Sequence, residues 1–193
     1  MEIIDARVDQ MTGTINDLLV LGRFSERRLV GEKQKASLGR LVEAEVEALQ
    51  MEAEAKQLSI TCRVQEGLPG IIVDADRIRQ ALENVLDNAI KFTPEGGCIT
   101  VAAGLAPGGG ALEVAVQDSG PGIPPEQLDQ IIAMFYQVDA TSTRRAGGLG
   151  LGLYIARGIA EAHGGDARVE SHIGEGSTCT LRLPLHPEGQ PCD

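Results

Sequence analysis

The sequence has no stretch approaching the roughly 20 consecutive apolar residues that span a bilayer, so no membrane-spanning helix is predicted. Its four cysteines are scattered without a CxxC pair, which argues against a metal site and favours reduced thiols. A formal net charge of −11 disfavours a nucleic-acid surface, because neutralising phosphates needs clustered Lys and Arg. The N-terminus, with Glu2 and Asp5 ahead of any apolar run, does not resemble a signal peptide. These absences favour a cytoplasmic protein that contacts neither nucleic acid nor membrane.

What remains is an ordinary globular composition, with 42% hydrophobic and 23% charged residues among 193. Such a chain can form one well-buried domain with a smaller appendage. Its first segment, residues 1–29, is predicted to be a helix whose apolar seam packs on another helix, because its apolar residues alternate steps of four and three. An ordinary amphipathic helix is the alternative, although little else in this stretch could cover the seam. The seam comprises Ile4, Val8, Met11, Ile15 and Leu18.

Beyond Gly31 the hydrophobic pattern switches between helical and strand periods. Helices are predicted over about 38–53, 74–92 and 149–162, and strands over 58–64, 71–73, 98–105, 112–117, 167–171 and 178–183. Ser37 is the expected cap of the first of these helices, and Pro94 ends the second. A long polar loop, with one or two helical turns, is expected over 118–148. This mixture predicts an α+β fold, a two-layer sandwich with helices on one face of a sheet.

A polar stripe interrupts the second of these helices. At about 100° per residue, Asn84, Asn88 and Lys91 fall within about 60° of one another, apart from the apolar face. Asn is a poor helix former, so two of them one turn apart need a reason. One interpretation is a solvated helix face that merely tolerates Asn, and it explains the stripe no worse than a functional role does. The functional interpretation is a row of neutral oxygens and one ammonium for a metal–phosphate group, since oxygen suits Mg²⁺ and Lys suits phosphate.

Glycine-rich segments follow at three places. Asp118–Ile123 comes after a strand, where glycines let the backbone approach a flat ligand and the carboxylate can accept from an amino group, although an Asp–Gly turn is the common alternative. Gly147–Leu153 runs into a helix, whose unpaired N–H groups can bind phosphate. A dinucleotide-binding unit would have such a loop early in a βαβ unit. This loop lies near the C-terminus, so we reject that alternative. Gly174–Thr178 by itself indicates only a tight turn.

Taken in this order, the segments closely resemble the histidine-kinase ATPase family, part of the group that includes gyrase B, Hsp90 and MutL. Residues 84–92 resemble the family's N box, 118–122 its G1 box, 134–139 its F box, 148–153 its G2 box and 174–178 its last glycine-containing turn. The resemblance implies a Bergerat-type ATP-binding fold, in which a mixed sheet and about three helices hold ATP beneath a mobile lid.

The resemblance also implies a division of the chain. Residues 31–188 would form the catalytic ATP-binding domain, followed by a tail over 189–193. Residues 17–23 resemble, more weakly, the end of the second dimerisation helix of these kinases. Residues 1–30 would therefore be part of the second helix of a dimerisation and phosphoacceptor hairpin.

Roles for individual residues follow from the same resemblance. Asn88 would hold Mg²⁺, while Asn84 and Lys91 would contact the phosphates of ATP. Phe92 would pack near the adenosine, and Asp118 would accept from the adenine amino group. The nucleotide cradle would comprise Gly120, Gly122, Ile123, Gly148, Leu149, Gly150, Leu151, Gly152, Leu153 and Thr178.

The residue types also bear on the reaction. A gyrase-like or Hsp90-like hydrolase would normally place Glu at the position of Asn84 as the base for a water, and Asn is no general base. The resemblance thus implies phosphoryl transfer by an ATP-dependent protein-histidine kinase, with catalysis mostly by positioning and charge neutralisation. Arg144 and Arg145 lie in the expected lid, and at least one is expected to reach the γ-phosphate. A non-catalytic nucleotide-gated interaction module and an anti-sigma-type Ser/Thr kinase stay open as alternatives.

The sequence departs from the family in its histidines. None of His163, His172 and His186 is followed by the acidic residue and Arg-Thr-Pro-like pattern of the acceptor box. A structural role is expected for His163. Ile132 also stands where these kinases often have the first Phe of the F box. We therefore expect Met1 to lie inside a longer, homodimeric kinase, whose partners would be a phosphoacceptor helix of the same or a partner chain and a response-regulator receiver domain.

Overall fold

A computed structural model describes residues 30–131 and 150–185. The predicted helix over 1–29, the F box and the tail lie outside these ranges. Within them the elements follow in the order β1 (Gln34–Ala36), α1 (Leu38–Ala55), β2 (Ser59–Val64), β3 (Ile71–Val73), α2 (Ala75–Phe92), β4 (Cys98–Leu105), β5 (Ala111–Asp118), α3 (Pro125–Ile131), α4 (Gly152–Ala162), β6 (Asp166–His172) and β7 (Gly176–Pro184). No helix in the two described ranges has the length and hydrophobicity to cross a membrane.

Five of the strands form a mixed sheet in the order β2-β4-β5-β7-β6. The β2 and β4 strands run parallel, whereas the other neighbours are antiparallel. Strands β1 and β3 form a separate antiparallel pair. The sequence did not predict β1, because the run Gln-Lys-Ala has no apolar alternation and becomes a strand only by pairing with β3.

The core lies between one face of the five-stranded sheet and helices α1, α2 and α4. Val101 of β4 lies opposite Val116 of β5, and both are buried. The helices add fully buried side chains such as Leu82, Ile155 and Ile159. Burying an aliphatic side chain of this size contributes about 1.5–3 kcal/mol relative to leaving it exposed. The predicted α+β sandwich of a mixed sheet and about three helices is therefore confirmed.

Ser37 at the start of α1 and Pro94 after the end of α2 act as predicted, and the structure adds a cap at Asp74. Ser37 is the N-cap of α1. Asp74 caps α2, where its carboxylate accepts from two backbone N–H groups of the first turn at 3.2 Å. Helix α2 ends at Phe92, two residues before Pro94. These boundaries depend on neighbouring residues, so the sequence alone is sufficient to locate them.

Helix α4 begins later than predicted. Its start was expected near residue 149, whereas the helix begins at Gly152. Gly150 has φ +71°, in the left-handed region that a right-handed helix cannot contain. Leu151, which is 1% exposed, then acts as the N-cap. The glycines of the predicted phosphate loop therefore also delay the start of the helix.

His163 is a buried structural residue at the end of α4. Its Nε2 accepts from the Asp74 N–H at 3.0 Å, and its Nδ1 lies 2.8 Å from the Ile159 carbonyl oxygen, so Nδ1 carries the proton. The neutral ring joins the last turn of α4 to the cap of α2. Burial lowers the pKa of His163 below its ordinary value of 6.5. The structural role expected for this histidine is confirmed.

Acid should destabilise the fold through His163. The unfolded imidazole takes up a proton near pH 6.5, about its ordinary pKa, whereas the folded one does so only at lower pH. The free energy of unfolding should therefore fall as the pH drops below about 6.5. His163→Gln keeps a neutral donor and acceptor but cannot be protonated. Urea unfolding at about pH 7.5 and about pH 5.5 should show a smaller loss for His163→Gln than for the wild type, and equal losses would contradict this.

Candidate functional site

The polar stripe of α2 faces the start of α4. Nδ2 of Asn84 donates to the Gln80 carbonyl oxygen at 2.9 Å, and Nδ2 of Asn88 donates to the Asn84 carbonyl oxygen at 2.9 Å. These bonds occupy the amide nitrogens and leave the two Oδ1 atoms to accept from a ligand or bind a cation. A Cβ on Gly152 would lie 3.1 Å from Asn84 Oδ1 and 3.2 Å from Asn88 Nδ2. Helix α4 therefore begins directly against both amides.

The first turn of α4 offers backbone N–H groups. Its N-cap, Leu151, makes no side-chain hydrogen bond to that turn. Uncapped N–H groups and the positive end of the helix dipole bind anions. Gly150 and Leu153 are half-buried beside this turn, whereas Leu151 anchors it in the core. This part of the predicted cradle thus combines a buried anchor with backbone donors.

Lys91 and Phe92 form the end of α2. The Lys91 ammonium lies 5.0 Å from the centroid of the Phe92 ring, and Phe92 is 43% exposed. Burial lowers the pKa of Lys91 below its ordinary value of 10.5. Because desolvation disfavours the charged form, an anion that reached this ammonium would offset part of the cost of its burial. This end of the helix can therefore present a cation beside an exposed aromatic ring.

Lys56 holds the same end of α2 from the turn after α1. Its Nζ donates to the carbonyl oxygens of Ile90 and Lys91 at 2.6 and 2.7 Å. Carbonyls in the last turn of a helix lack helical partners, and a cation there is favourable. Burial lowers the pKa of Lys56, and the Glu52 carboxylate opposes that shift. Sequence analysis missed this residue, because nothing local relates it to carbonyls more than 30 positions away.

Asp118 ends β5 beside the end of α2. Its Oδ1 accepts from the Gly120 N–H at 2.7 Å. Burial raises the pKa of Asp118 above its ordinary value of 3.8, and backbone hydrogen bonds from Gly120 and Ser177 oppose that shift. A Cβ on Gly120 would lie 3.1 Å from the Phe92 carbonyl oxygen, so this turn packs closely on α2. The carboxylate can accept a hydrogen bond from a ligand at this junction.

Two glycines let the loop after β5 lie against the β6–β7 hairpin. Gly122 has φ +74°, and a Cβ at this position would overlap the His172 carbonyl. Gly176 has φ +95°, and a Cβ at this position would overlap the Asp118 carbonyl. Both positions therefore require glycine, for backbone conformation and for space.

Two hydrogen bonds fasten the same loop to the hairpin. The Pro121 carbonyl oxygen accepts from the Gly174 N–H at 2.8 Å. The Ser171 hydroxyl accepts from the Ile123 N–H at 2.8 Å. The last glycine-containing turn, which the sequence by itself predicted only as a tight turn, is thus the support on which the loop after Asp118 rests.

Thr178 lies on the other face of the sheet. Strand β7 places Ser177 opposite Asp118 and Thr178 opposite Gln117. Since successive side chains of a strand point to opposite faces, Ser177 shares the face of Asp118. Ser177, which the sequence did not single out, therefore lies beside Asp118, whereas the predicted cradle residue Thr178 points to the opposite face of the sheet. The signal for Ser177 was the alternation of β7, in which Cys179, two residues further, is buried.

The remaining predicted site residues, Arg144, Arg145, Gly148 and Leu149, lie outside the described ranges. Among the described residues, the fold gathers the asparagine stripe, the loop after β5 and the start of α4 around α2. Backbone N–H groups and amide oxygens meet at one place on the helix. A carboxylate acceptor lies near its end. This arrangement suits a ligand that has an amino-bearing ring and several anionic groups.

A metal ion in this site would rely largely on oxygens of the ligand. Within 30–131 and 150–185, no three His, Cys, Asp or Glu residues lie together to hold an ion. Mg²⁺ commonly takes one or two protein oxygens and completes its shell with phosphates and water. The Oδ1 of Asn88, whose Nδ2 is committed to the helix backbone, fits that donor set.

A family model described as "Histidine kinase-, DNA gyrase B-, and HSP90-like ATPase" matches residues 73–187. The chain is 32% identical to Sensor histidine kinase WalK of Bacillus subtilis (strain 168), over 93% of this chain and 29% of WalK. It is 36% identical to Adaptive-response sensory kinase SasA of Synechococcus sp. (strain JA-3-3Ab), over 92% of this chain and 46% of SasA. The chain thus spans less than half the length of these two relatives.

Solved structures show the same likeness. Full-length ShkA in complex with AMPPNP matches with a TM-score of 0.79 and 29% identity, over 95% of this chain and 38% of that one. The catalytic domain of histidine kinase ThkA matches with a TM-score of 0.71 and 26% identity, over 83% of this chain and 100% of that one.

Proposed function

We propose that this chain, which belongs to the histidine kinase-, DNA gyrase B- and HSP90-like ATPase family, is the ATP-binding catalytic part of a sensor histidine kinase. Its activity is the transfer of the γ-phosphoryl group of ATP to a histidine, and onward to an aspartate of a response regulator. The observation that carries the proposal is the approach of Gly152 to Asn84 and Asn88, which joins the anion-binding start of α4 to the amide stripe. The kinase names of WalK and SasA favour it over a Ser/Thr kinase or a non-catalytic module.

We place ATP with its base at Asp118 and its phosphates at the start of α4. Asp118, held by the Gly120 N–H, accepts from the amino group of adenine, and Phe92 packs against the adenosine. Lys91 and the first turn of α4 take the phosphates, since both carry positive potential in a partly buried place. The AMPPNP bound to ShkA supports this choice of ligand.

Asn88 is the proposed protein ligand of Mg²⁺, through the Oδ1 that its helix bond leaves available. Bound there, the ion would neutralise charge on the phosphates. Asn84 lines the phosphates one turn earlier and, as an amide, cannot serve as a base for water. The site therefore favours phosphoryl transfer over hydrolysis, and Arg144 or Arg145 would add charge at the γ-phosphate. Gly148 and Leu149 would complete the cradle.

The parent protein is proposed to be a homodimer in the cytoplasm. Residues 31–188 form its catalytic domain, residues 1–30 belong to the dimerisation hairpin, and 189–193 are a tail. The apolar seam within 1–30 supports this division, because it calls for a partner helix. The phosphoacceptor helix belongs to the same or a partner chain, and a receiver domain takes the phosphoryl group.

Removing the carboxylate acceptor should weaken binding of the base. In Asp118→Asn an amide donor can face the adenine amino group, and an unpaired buried group costs about 1–3 kcal/mol, or about 5- to 150-fold in Kd. Titration calorimetry with ATP and Mg²⁺ measures this loss. Asp76→Asn, at the exposed start of α2, should bind like the wild type. Unchanged affinity in Asp118→Asn would make Asp118 only a turn residue, and no binding by the wild type at millimolar ATP would refute the proposed function.

The metal assignment has its own test. Asn88→Ala removes the amide oxygen, so its affinity for ATP should fall at least about tenfold with Mg²⁺ present and much less with EDTA. Glu83→Ala is the matched control, because it truncates an exposed side chain of the same helix. Equal losses with and without Mg²⁺ would assign Asn88 to helix packing.

This chain should bind ATP without phosphorylating its own histidines. The reaction needs an imidazole held in line with the γ-phosphate, and both ring nitrogens of His163 are committed to backbone partners. After incubation with γ-labelled ATP, we expect no acid-labile, alkali-stable label. Such label on His163, His172 or His186 would show that the chain is a complete kinase.

A further inference from the structure

The Ser171 hydroxyl stands at the centre of a hydrogen-bond hub beneath the loop after β5. The side chain is on β6 and is 7% exposed. Its Oγ accepts from the Ile123 N–H at 2.8 Å, donates to the Gly176 carbonyl oxygen at 2.7 Å, and lies 2.9 Å from the Ser177 Oγ.

The direction of the bond between the two serines follows from proton accounting. A serine hydroxyl has one proton and two lone pairs. The Ser171 proton is committed to Gly176, because a carbonyl oxygen can only accept and lies 2.7 Å away. The Ile123 N–H can only donate. Ser177 must therefore donate its own proton to Ser171, which leaves only lone pairs on the other side of the Ser177 hydroxyl.

The lone pairs of the Ser177 hydroxyl lie at the end of the site where the base is proposed to bind. Ser177 lies opposite Asp118 in the β5–β7 ladder and on the same face. Burial raises the pKa of the Asp118 carboxyl and the Ser177 backbone opposes that shift, which is consistent with the pairing of the two residues in neighbouring strands. The carboxylate is itself an acceptor. Asp118 and Ser177 thus present acceptors side by side, with no proton to offer a ligand from either side chain.

We infer that Ser171 is a positioning residue for base specificity, which holds the Ser177 hydroxyl as an acceptor and so excludes purines that carry an oxygen at C6. The inference rests on the proposed function. Adenine offers an amino donor at C6, whereas hypoxanthine and guanine offer an acceptor there. A C6 oxygen that faced the acceptors of Asp118 and Ser177 would leave these buried groups without a hydrogen-bond donor. Sites built to hydrogen-bond a donor strongly reject analogues that lack it.

The test compares ATP with ITP, which replaces the C6 amino group of the base by an oxygen. In Ser171→Ala, the Ser177 hydroxyl loses its partner and can turn to donate to the C6 oxygen. The ratio of the Kd for ITP to the Kd for ATP should fall by about 5- to 10-fold, mainly through tighter ITP. A loosened loop alone would weaken both nucleotides equally and leave the ratio unchanged, so the ratio separates specificity from support.

Two further variants make the test decisive. Ser171→Thr keeps the hydroxyl and should restore the wild-type ratio. In a Ser177→Ala background, Ser171→Ala should leave the ratio unchanged, because the effect passes through the Ser177 hydroxyl. If circular dichroism shows that Ser171→Ala is unfolded, Ser171→Cys replaces it in the test. Cysteine nearly keeps the volume of serine but has only a weak S–H donor, so the Kd ratio should again fall.

A wild type that binds neither nucleotide would refute the proposed function and the inference with it. A wild type that binds ATP, together with an unchanged ratio in Ser171→Ala and Ser171→Cys, would overturn the inference alone. The inference would also be overturned if Ser171→Ala changed the Kd ratio equally with and without the Ser177 hydroxyl.

Discussion

Distant parts of the chain hold both ends of helix α2, the helix that carries Asn84, Asn88 and Lys91. At its start, the His163 ring accepts from the Asp74 N–H at 3.0 Å. At its end, Lys56 donates to two carbonyls of the last turn. Between these ends, Gly152 lies against the two asparagines. These contacts hold the helix that carries the amides, the ammonium and the aromatic ring, and positioning is what phosphoryl transfer mostly requires.

Burial leaves the site with charges that a ligand can stabilise. It lowers the pKa of Lys91 and raises the pKa of Asp118, so each group is less stable in its charged form than it would be in water. An anion beside the ammonium and a donor beside the carboxylate would offset those costs. Although the whole chain carries a net charge of −11, Lys91 and the start of α4 give this region local positive potential. A negatively charged nucleotide can therefore bind an acidic protein.

Local sequence determined much of this protein. The periods of 3.6 and two residues located the elements, Ser37 capped one helix, and Pro94 followed the end of another. Helical spacing alone put Asn84 and Asn88 on one stripe, and the order of the glycine-rich segments identified the family. Each of these features arises within a few residues, because caps, helix faces and tight turns depend on neighbouring backbone and side chains.

Tertiary structure decided what depends on partners far along the chain. The three residues of β1 became a strand only by pairing with β3. The register of β7 on β5 put Ser177, and not Thr178, beside Asp118. Lys56 reached carbonyls more than 30 positions away, and the Ser171 hub joined a loop to a hairpin. Local sequence specifies the alternation of a strand but not its register, and it names a donor but not the acceptor that folding brings within 3 Å, about the length of a hydrogen bond.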